Sequence, residues 1–408
     1  MASCNPIRLK ALISTIEPID GGVPTMTRWI CKLLEELDIT PVLAWYAPWR
    51  NYPNLSIPLH QIISGEKPKV FHKISFEKYE SYGIGAWLPE LEFTHYLPSK
   101  IWKGLIGNCQ LHLAVSGNAL CALPYFKSKV PFWAWIATPW EADRKDRIRE
   151  FIIPRRILDT LINTPVLRGF EKRILNSSQA KILCLSNYTS TELNYLAPKR
   201  MHPVMYMPVN TDLFRPDYGR IVKWRIGFSG RYCDPRKNIE LLLEATQILL
   251  NQGNEVELIL VGERKADELQ PLIKTFGLSN NVICYMHMSP EELAPLLQTF
   301  DVFAIPSHQE GLCIAALEAM ACGVPVVSTR CGGPEDYVQP GVTGELVDKS
   351  ANAFALIIKE ICMDRKKRHQ LSMAAVNWIE TNASQEASRQ KFREHLSFYA
   401  KSRGYSIN

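Results

Sequence analysis

The chain has 408 residues, of which 46% are hydrophobic and 22% charged, and its formal net charge is +6. That length suits two or three domains, and that balance suits a chain with a buried core, not a disordered or collagen-like one. No apolar run reaches the roughly 18 residues that span a bilayer. Its 11 cysteines are odd in number and contain no C-x-x-C pair. Reduced thiols in a cytoplasmic protein are expected, rather than a disulfide or zinc framework. Arg8 and Lys10 interrupt the first apolar patch, so no secretory leader is expected.

Charge is uneven along the chain. Residues 1–210 hold 25 Lys+Arg and 17 Asp+Glu, a net of +8, which leaves −2 for the remainder. Eight of the ten tryptophans also fall in that first half. A basic, tryptophan-rich half fits an anionic ligand, a sugar or a membrane surface, and equally a solvated surface over an aromatic core.

Taken in chain order, short apolar runs alternate with helical periodicity, the pattern of βαβ units with parallel sheets. Strands are predicted at 10–15, 41–46, 111–116, 132–137 and 181–186, with helices at 24–37, 167–176 and 189–196. Residues 46–103, rich in proline and aromatics, read as a long excursion or a set of short elements. The second half is more regular. Strands are predicted at 225–229, 255–261, 282–285, 301–305, 324–328 and 345–347. Helices are predicted at 237–251, 265–276, 290–298, 313–320, 351–363 and 385–400. Between the halves, residues 206–223 are dense in turn formers and suit a hinge. Two doubly wound domains are therefore expected, with ligands beyond the carboxyl ends of their strands, in the cleft between them.

The strongest motif is Glu310-Gly311-Leu312-Cys313-Ile314-Ala315-Ala316-Leu317-Glu318. Its carboxylates are eight residues apart, about 12 Å along a continuous helix, too far for an acid/base pair. They suit two parts of one long ligand, and the amides at the helix start suit its oxygen-rich groups. Taken alone, the same run is an amphipathic helix behind a capping loop. A second segment, Ser229-Gly230-Arg231 to Arg236-Lys237, places a glycine and three cations on a strand-to-helix loop, as a diphosphate requires. Gly332-Gly333 follow a later strand, and Gly21-Gly22 open the first predicted helix, where backbone can approach a ligand.

These residues, in this order, resemble the retaining glycosyltransferases of family 4, among the glycosyl transferases of group 1. The spacing of Glu310 and Glu318 is that family's E-x7-E. The resemblance covers residues 208–348 well and reaches the first half faintly. It implies a GT-B fold, α/β with two Rossmann-like domains facing across a cleft. Residues 1–207 would form the acceptor-side domain and 208–384 the nucleotide-sugar domain, with a helix from 385–408 crossing back to the first. It implies that Arg231 and Lys237 hold the donor diphosphate, that Glu318 binds the ribose, and that Glu310 contacts the transferred sugar. Glu310, Arg231 and Lys237 would then be catalytic. Gly311, Leu312 and Cys313 would offer amides to the donor, Gly22 would approach the diphosphate, and loop 285–288 would carry the base.

The chain departs from the family where Cys313 replaces a usual glycine and Ala315 a usual proline. The region Ile136–Asp143 lacks the histidine many members have, leaving Thr138 or Glu141 for its task. No Asp-x-Asp is present, so no metal and no cofactor are expected beyond the nucleotide-sugar substrate. With no evident nucleophile, retention would follow from same-face attack within an ion pair. The partners expected are a nucleotide sugar and a glycan or lipid-linked acceptor, with no nucleic acid. The stretch 144–156 holds six cations beside an apolar cluster, suited to anionic lipid or to an ordinary exposed loop. His60, His72, His95 and His112 lack metal spacing and read as structural, and His308 as a loop residue near the ligand. Two alternatives stand beside transfer: a non-catalytic nucleotide-sugar or polysaccharide-binding partner, and a nucleotide-sugar epimerase on the same fold. A Rossmann dehydrogenase is disfavoured, because no G-x-G-x-x-G follows a strand.

Overall fold

The computed structural model describes residues 8–19, 21–144, 148, 152–198, 200, 202–217, 224–262, 266–286 and 288–407. Two compact units emerge. The first runs to Leu185 and adds Thr189–Met205 and the chain from Lys391 onward. The second comprises Ser186–Tyr188 and Tyr206–Gln390.

In the first unit the strands are β1 (Lys10–Thr15), β2 (Thr40–Tyr46), β3 (Val70–Ser75), β4 (Tyr79–Ile84), β5 (Leu111–Ser116), β6 (Phe132–Ile136) and β7 (Ala180–Cys184). They lie in the order β3-β4-β2-β1-β5-β6-β7. Pairing is parallel except for β3 with β4. β5 and β6 are buried along their whole length, as a parallel sheet covered on both faces requires. The excursion at 46–103 therefore contains a hairpin and a helix, Lys100–Gly107. Its β4 alternates between buried and half-buried positions, and Gly83 leaves room for the Phe71 ring, 2.2 Å from where a Cβ would stand.

The second unit contains β8 (Trp224–Gly230), β9 (Val256–Gly262), β10 (Val282–Met286), β11 (Val302–Ile305), β12 (Val326–Thr329) and β13 (Gly344–Val347). Their order, β10-β9-β8-β11-β12-β13, is parallel throughout and is the doubly wound nucleotide-binding order. The strand order reverses between β1 and β5 in the first unit and between β8 and β11 in the second. At such switch points connections leave in opposite directions and open a crevice beyond the carboxyl ends.

One long helix, Arg365–Asn382, went unpredicted. Only Leu371, Ser372, Ala375 and Ile379 are buried along it, and its first five residues are all basic. The helix Gln385–Ser402 starts in the second unit and ends in the first. There Phe392, Leu396 and Tyr399 are fully buried, and Phe392 packs edge-on to Trp133 at 5.6 Å. The apolar stripe at i, i+4, i+7 thus finds its core.

Candidate active site

β8 ends on Gly230, whose φ of 152° is open to glycine. Gly262 on the neighbouring strand lets the Gly230 carbonyl come close, since a Cβ there would stand 2.0 Å from it. The chain then turns through residues 231–238 into the helix Ile239–Asn251. This turn is locked from within. Asp234 accepts from the Arg236 amide at 3.1 Å and from its guanidinium at 2.8 Å. Burial alone raises the Asp234 carboxyl, but Arg236, aided by Arg231, outweighs it and holds its pKa at about 2. Arg236, buried to 7% exposure, is therefore a structural cation, a role the sequence did not separate from that of its neighbours. Arg231 projects from the same turn with its side chain 57% exposed, 3.2 Å from Asp234.

The loop after β11 is tied to this turn. The His308 amide donates to the Arg236 carbonyl at 2.7 Å, and the Asn238 side chain donates to the Pro306 carbonyl at 3.1 Å. The two loops carry the central pair, in which Lys237 Nζ lies 2.6 Å from Glu310 Oε1. Ser307, fully buried, donates to the same oxygen at 2.6 Å. Burial pulls the Lys237 pKa down, yet the Glu310 carboxylate outweighs it and the net shift is upward. The lysine is thus a firm cation. Ser307 was not among the predicted residues; the one signal for it is that it stands three positions before Glu310.

Glu310 is fixed through its backbone. Its amide donates to the Cys331 carbonyl at 2.8 Å, and its carbonyl accepts from Gly333 at 2.9 Å. Gly333 belongs here for a steric reason: a Cβ would stand 2.3 Å from the Gly311 carbonyl oxygen. Tyr337, buried, donates to the Leu312 carbonyl at 2.7 Å. Cys313 caps the helix Ile314–Ala321 with φ 65° and ψ 76°, a left-handed conformation. That is why glycine suits this position. The amides of Gly311, Leu312 and Cys313 donate to no acceptor among the described residues and lie at the positive end of that helix.

Glu318 is half-buried in the same helix and has no cation or donor beside it among the described residues. Burial pushes its pKa up to about 7. Six of the predicted residues besides Arg231 (Lys237, Glu310, Gly311, Leu312, Cys313 and Glu318) thus belong to the second unit and cluster along its switch point. Gly22 belongs to the first unit, where it is the exposed opening residue of the helix Gly22–Glu36 behind Gly21, whose φ is 120°. Tyr285 and Met286 are 39% and 54% exposed at the end of β10, while position 287 lies outside the described residues. His308 is exposed in the loop, as expected.

In the region read for a missing histidine, Thr138 is buried and its amide donates to the Gly117 carbonyl at 2.7 Å. Glu141 is exposed and lies 3.4 Å from Arg168. The group that shapes this loop is one the sequence reading missed: buried Glu171 accepts from the Trp140 amide at 3.1 Å. Of the basic stretch, Arg144 is engaged by Glu92 and Asp159, and Arg155 donates to the Glu90 carbonyl at 3.1 Å. Those two cations are therefore fold contacts and not open charge. Residues 145–147 and 149–151 lie outside the described residues, while Ile152 and Ile153 are 75% and 71% exposed. No helix among the described residues is long and apolar enough to cross a membrane. No group of three or more His, Cys, Asp and Glu among them is placed to hold a metal.

Residues 221–378 match the family described as glycosyl transferases group 1. The chain is 29% identical over 208 residues to a D-inositol 3-phosphate glycosyltransferase of Segniliparus rotundus, covering 48% of this chain and 45% of that protein. It is 29% identical over 237 residues to a GDP-mannose-dependent alpha-(1-6)-phosphatidylinositol monomannoside mannosyltransferase of Mycolicibacterium smegmatis, 53% of this chain and 62% of that one. The chain thus spans about half the length of these curated relatives. Among solved structures, sucrose-phosphate synthase from Thermosynechococcus elongatus superposes with a TM-score of 0.72 at 18% identity, over 97% of this chain and 100% of that one. Anabaena HepE in complex with UDP-glucose gives 0.69 at 18%, over 96% and 100%. Residues 221–378, in the second unit, thus match the glycosyl transferases group 1 family, and along its length the chain shares the GT-B fold of these solved structures.

Proposed function

We propose that the chain transfers a sugar from a nucleotide diphosphate sugar, linked to UDP or GDP, to a hydroxyl of a glycan, lipid-linked or small-molecule acceptor. One observation carries this reading. A firm cation (Lys237), a carboxylate (Glu310) and three amides without an acceptor among the described residues (311–313) converge at one switch point, with the exposed Arg231 beside them. Breaking a sugar–phosphate bond puts negative charge on the departing diphosphate and positive charge on the sugar carbon. Lys237 and Arg231 stabilise the first, in place of a metal ion, and Glu310 the second. Glu318 accepts from the ribose hydroxyls. The configuration is retained, with the acceptor hydroxyl entering on the face the diphosphate leaves. Ten free cysteines among the described residues support a cytoplasmic setting.

The test is nucleotide release from a panel of UDP- and GDP-sugars, with and without excess chelator. Turnover of at least one donor, unchanged by chelator and lost in Lys237→Ala and Glu310→Gln, is expected. Binding of nucleoside diphosphate with no cleavage of any donor would favour a non-catalytic partner instead.

A further inference from the structure

The first unit has its own crevice at its own switch point. It is a cavity of about 150 Å³, bounded by Ser14 and Glu17 at the end of β1, Tyr46 at the end of β2, and His95, Tyr96 and Trp102 from the segments that follow β4. Three features of its wall define what fits.

Four aromatic rings stand in the wall, those of Tyr46, His95, Tyr96 and Trp102. Tyr46 and His95 stack face to face at 3.9 Å, with planes 8° apart. His95 donates through Nε2–H to the Pro89 carbonyl at 2.9 Å, which fixes the ring. Burial lowers its pKa and keeps it uncharged near neutrality. Flat rings of this kind accept the C–H faces of a sugar or cyclitol ring.

The polar group set into this wall is an acid. The Glu17 side chain is 9% exposed, takes a hydrogen bond from the Tyr52 hydroxyl and lies 3.7 Å from Lys73 Nζ. Tyr52 is itself stacked on Phe71 at 4.8 Å, so the carboxylate is held from behind. A fixed carboxylate accepts from vicinal hydroxyls.

No lysine or arginine lines the cavity among the described residues. Lys73 sits over the Trp45 ring at 5.0 Å and is matched by Glu17. Arg144 and Arg155, which act on His95 from a distance, are engaged by Glu92, Asp159 and the Glu90 carbonyl. A phosphate entering here would meet a carboxylate and no free cation, which is unfavourable.

We infer that this cavity receives the acceptor and selects an uncharged, hydroxyl-bearing ring, with Glu17 as the residue that discriminates against phosphorylated acceptors. The inference rests on the transferase reading and adds the class of acceptor. It separates this chain from those relatives whose names carry an inositol phosphate or a phosphatidylinositol.

The experiment measures nucleotide release from the donor that the panel identifies. The probes are methyl α-D-glucopyranoside, methyl α-D-mannopyranoside and myo-inositol, each against its phosphate ester. Neutral probes are expected to raise release, and their esters are not. In Glu17→Gln the KM for the neutral probes rises roughly tenfold or more, the scale of one charged hydrogen bond. In Glu17→Lys the preference between neutral probe and ester reverses. The preference is a ratio within one protein, so it is independent of how much of each variant is active; circular dichroism confirms the fold. Preference for the esters in the wild type, or a ratio unchanged in Glu17→Lys, overturns the inference. If no donor is cleaved, the transferase reading fails separately. The same probes are then titrated against tryptophan fluorescence in the wild type and in Trp102→Phe, whose difference reports the cavity, and binding of the esters in preference to the neutral compounds overturns the assignment there.

Discussion

Lys237 and Glu310 share an ion pair at 2.6 Å, although the resemblance assigns them to different parts of the donor. Their side chains are 14% and 8% exposed, so the pair is largely removed from water. Removing one partner of such a pair leaves the other uncompensated, which costs about 3–5 kcal/mol, whereas replacing both by neutral groups of like shape is nearly neutral. Lys237→Ala or Glu310→Ala alone should therefore lower stability markedly. The double variant Lys237→Met with Glu310→Gln should recover most of it. If the pair exists to bind donor, the double variant stays inactive and fails to bind nucleoside diphosphate despite its restored fold. Denaturant unfolding and calorimetric titration on the same samples separate the two effects.

Glu318 and Glu310 should fail differently. Glu318 is assigned to the ribose, which does not react, so Glu318→Gln should weaken nucleoside diphosphate binding and raise KM with little effect on kcat. Glu310 is assigned to the sugar, so Glu310→Gln should lower kcat more than it weakens binding of the bare diphosphate. The raised pKa of Glu318, about 7, adds a pH test. Its carboxylate, the form that accepts two hydroxyls, is lost as pH falls through 7. Donor KM should rise between pH 8 and 6 in the wild type and lose that dependence in Glu318→Gln. Equal effects of both variants on diphosphate affinity, with kcat intact in each, would reverse the donor's orientation in this scheme.

Much of this site was legible in the sequence because its residues are joined by short loops between strand and helix. Glu310, Gly311, Leu312, Cys313 and Glu318 follow one strand, and Arg231 and Lys237 follow another, so periodicity alone places both groups at carboxyl ends. Pairings across the sheet were not legible. Nothing local says that Lys237 faces Glu310, 73 positions away, or that Ser307 shares its oxygen. Nor could spacing reveal that Arg236 is spent on Asp234 while its neighbour Lys237 turns to the site, since all of these lie in one turn. The hairpin β3–β4 was hidden by its half-exposed pattern, and the helix Arg365–Asn382 by a charged opening with few buried positions. Glu17 gave no signal at all: its importance comes from Tyr52 and Lys73, brought to it by that unpredicted hairpin and the loop before it.

Cys313 offers a stability test at the heart of the loop. Its φ of 65° is a conformation that a side chain resists, by roughly 1–2 kcal/mol. Cys313→Gly relieves that strain but loosens the unfolded chain, which offsets about 0.4–1 kcal/mol. The variant should be as stable as the wild type or slightly more so. Cys313→Val, β-branched at the same φ, should be clearly less stable. Thermal unfolding of the two variants side by side checks the conformation directly, and a Cys313→Gly variant that melts well below the wild type would contradict it.

Glu171, in the first unit, carries a pH test of stability. Glu171 is 1% exposed, and burial raises its pKa to about 7, although the amides of Trp140 and Ala119 pull it back. The unfolded chain releases this proton near the ordinary glutamate value, so between about pH 4.5 and 7 the folded protein holds more protons than the unfolded one. Stability must then fall as pH rises through that window. Its contribution is greatest below the unfolded pKa and is gone above the folded one, a change of at most about 3 kcal/mol. Glu171→Gln keeps the shape of the protonated acid and cannot lose a proton. Relative to the wild type it should be stabilising at pH 8 and close to neutral at pH 5. Denaturant unfolding of both proteins across that range, followed by the fluorescence of the first unit's tryptophans, measures the difference. A gap between them that stays constant with pH would mean that Glu171 is ionised throughout, and that the loop at Trp140 is held by a charge and not by a neutral acid.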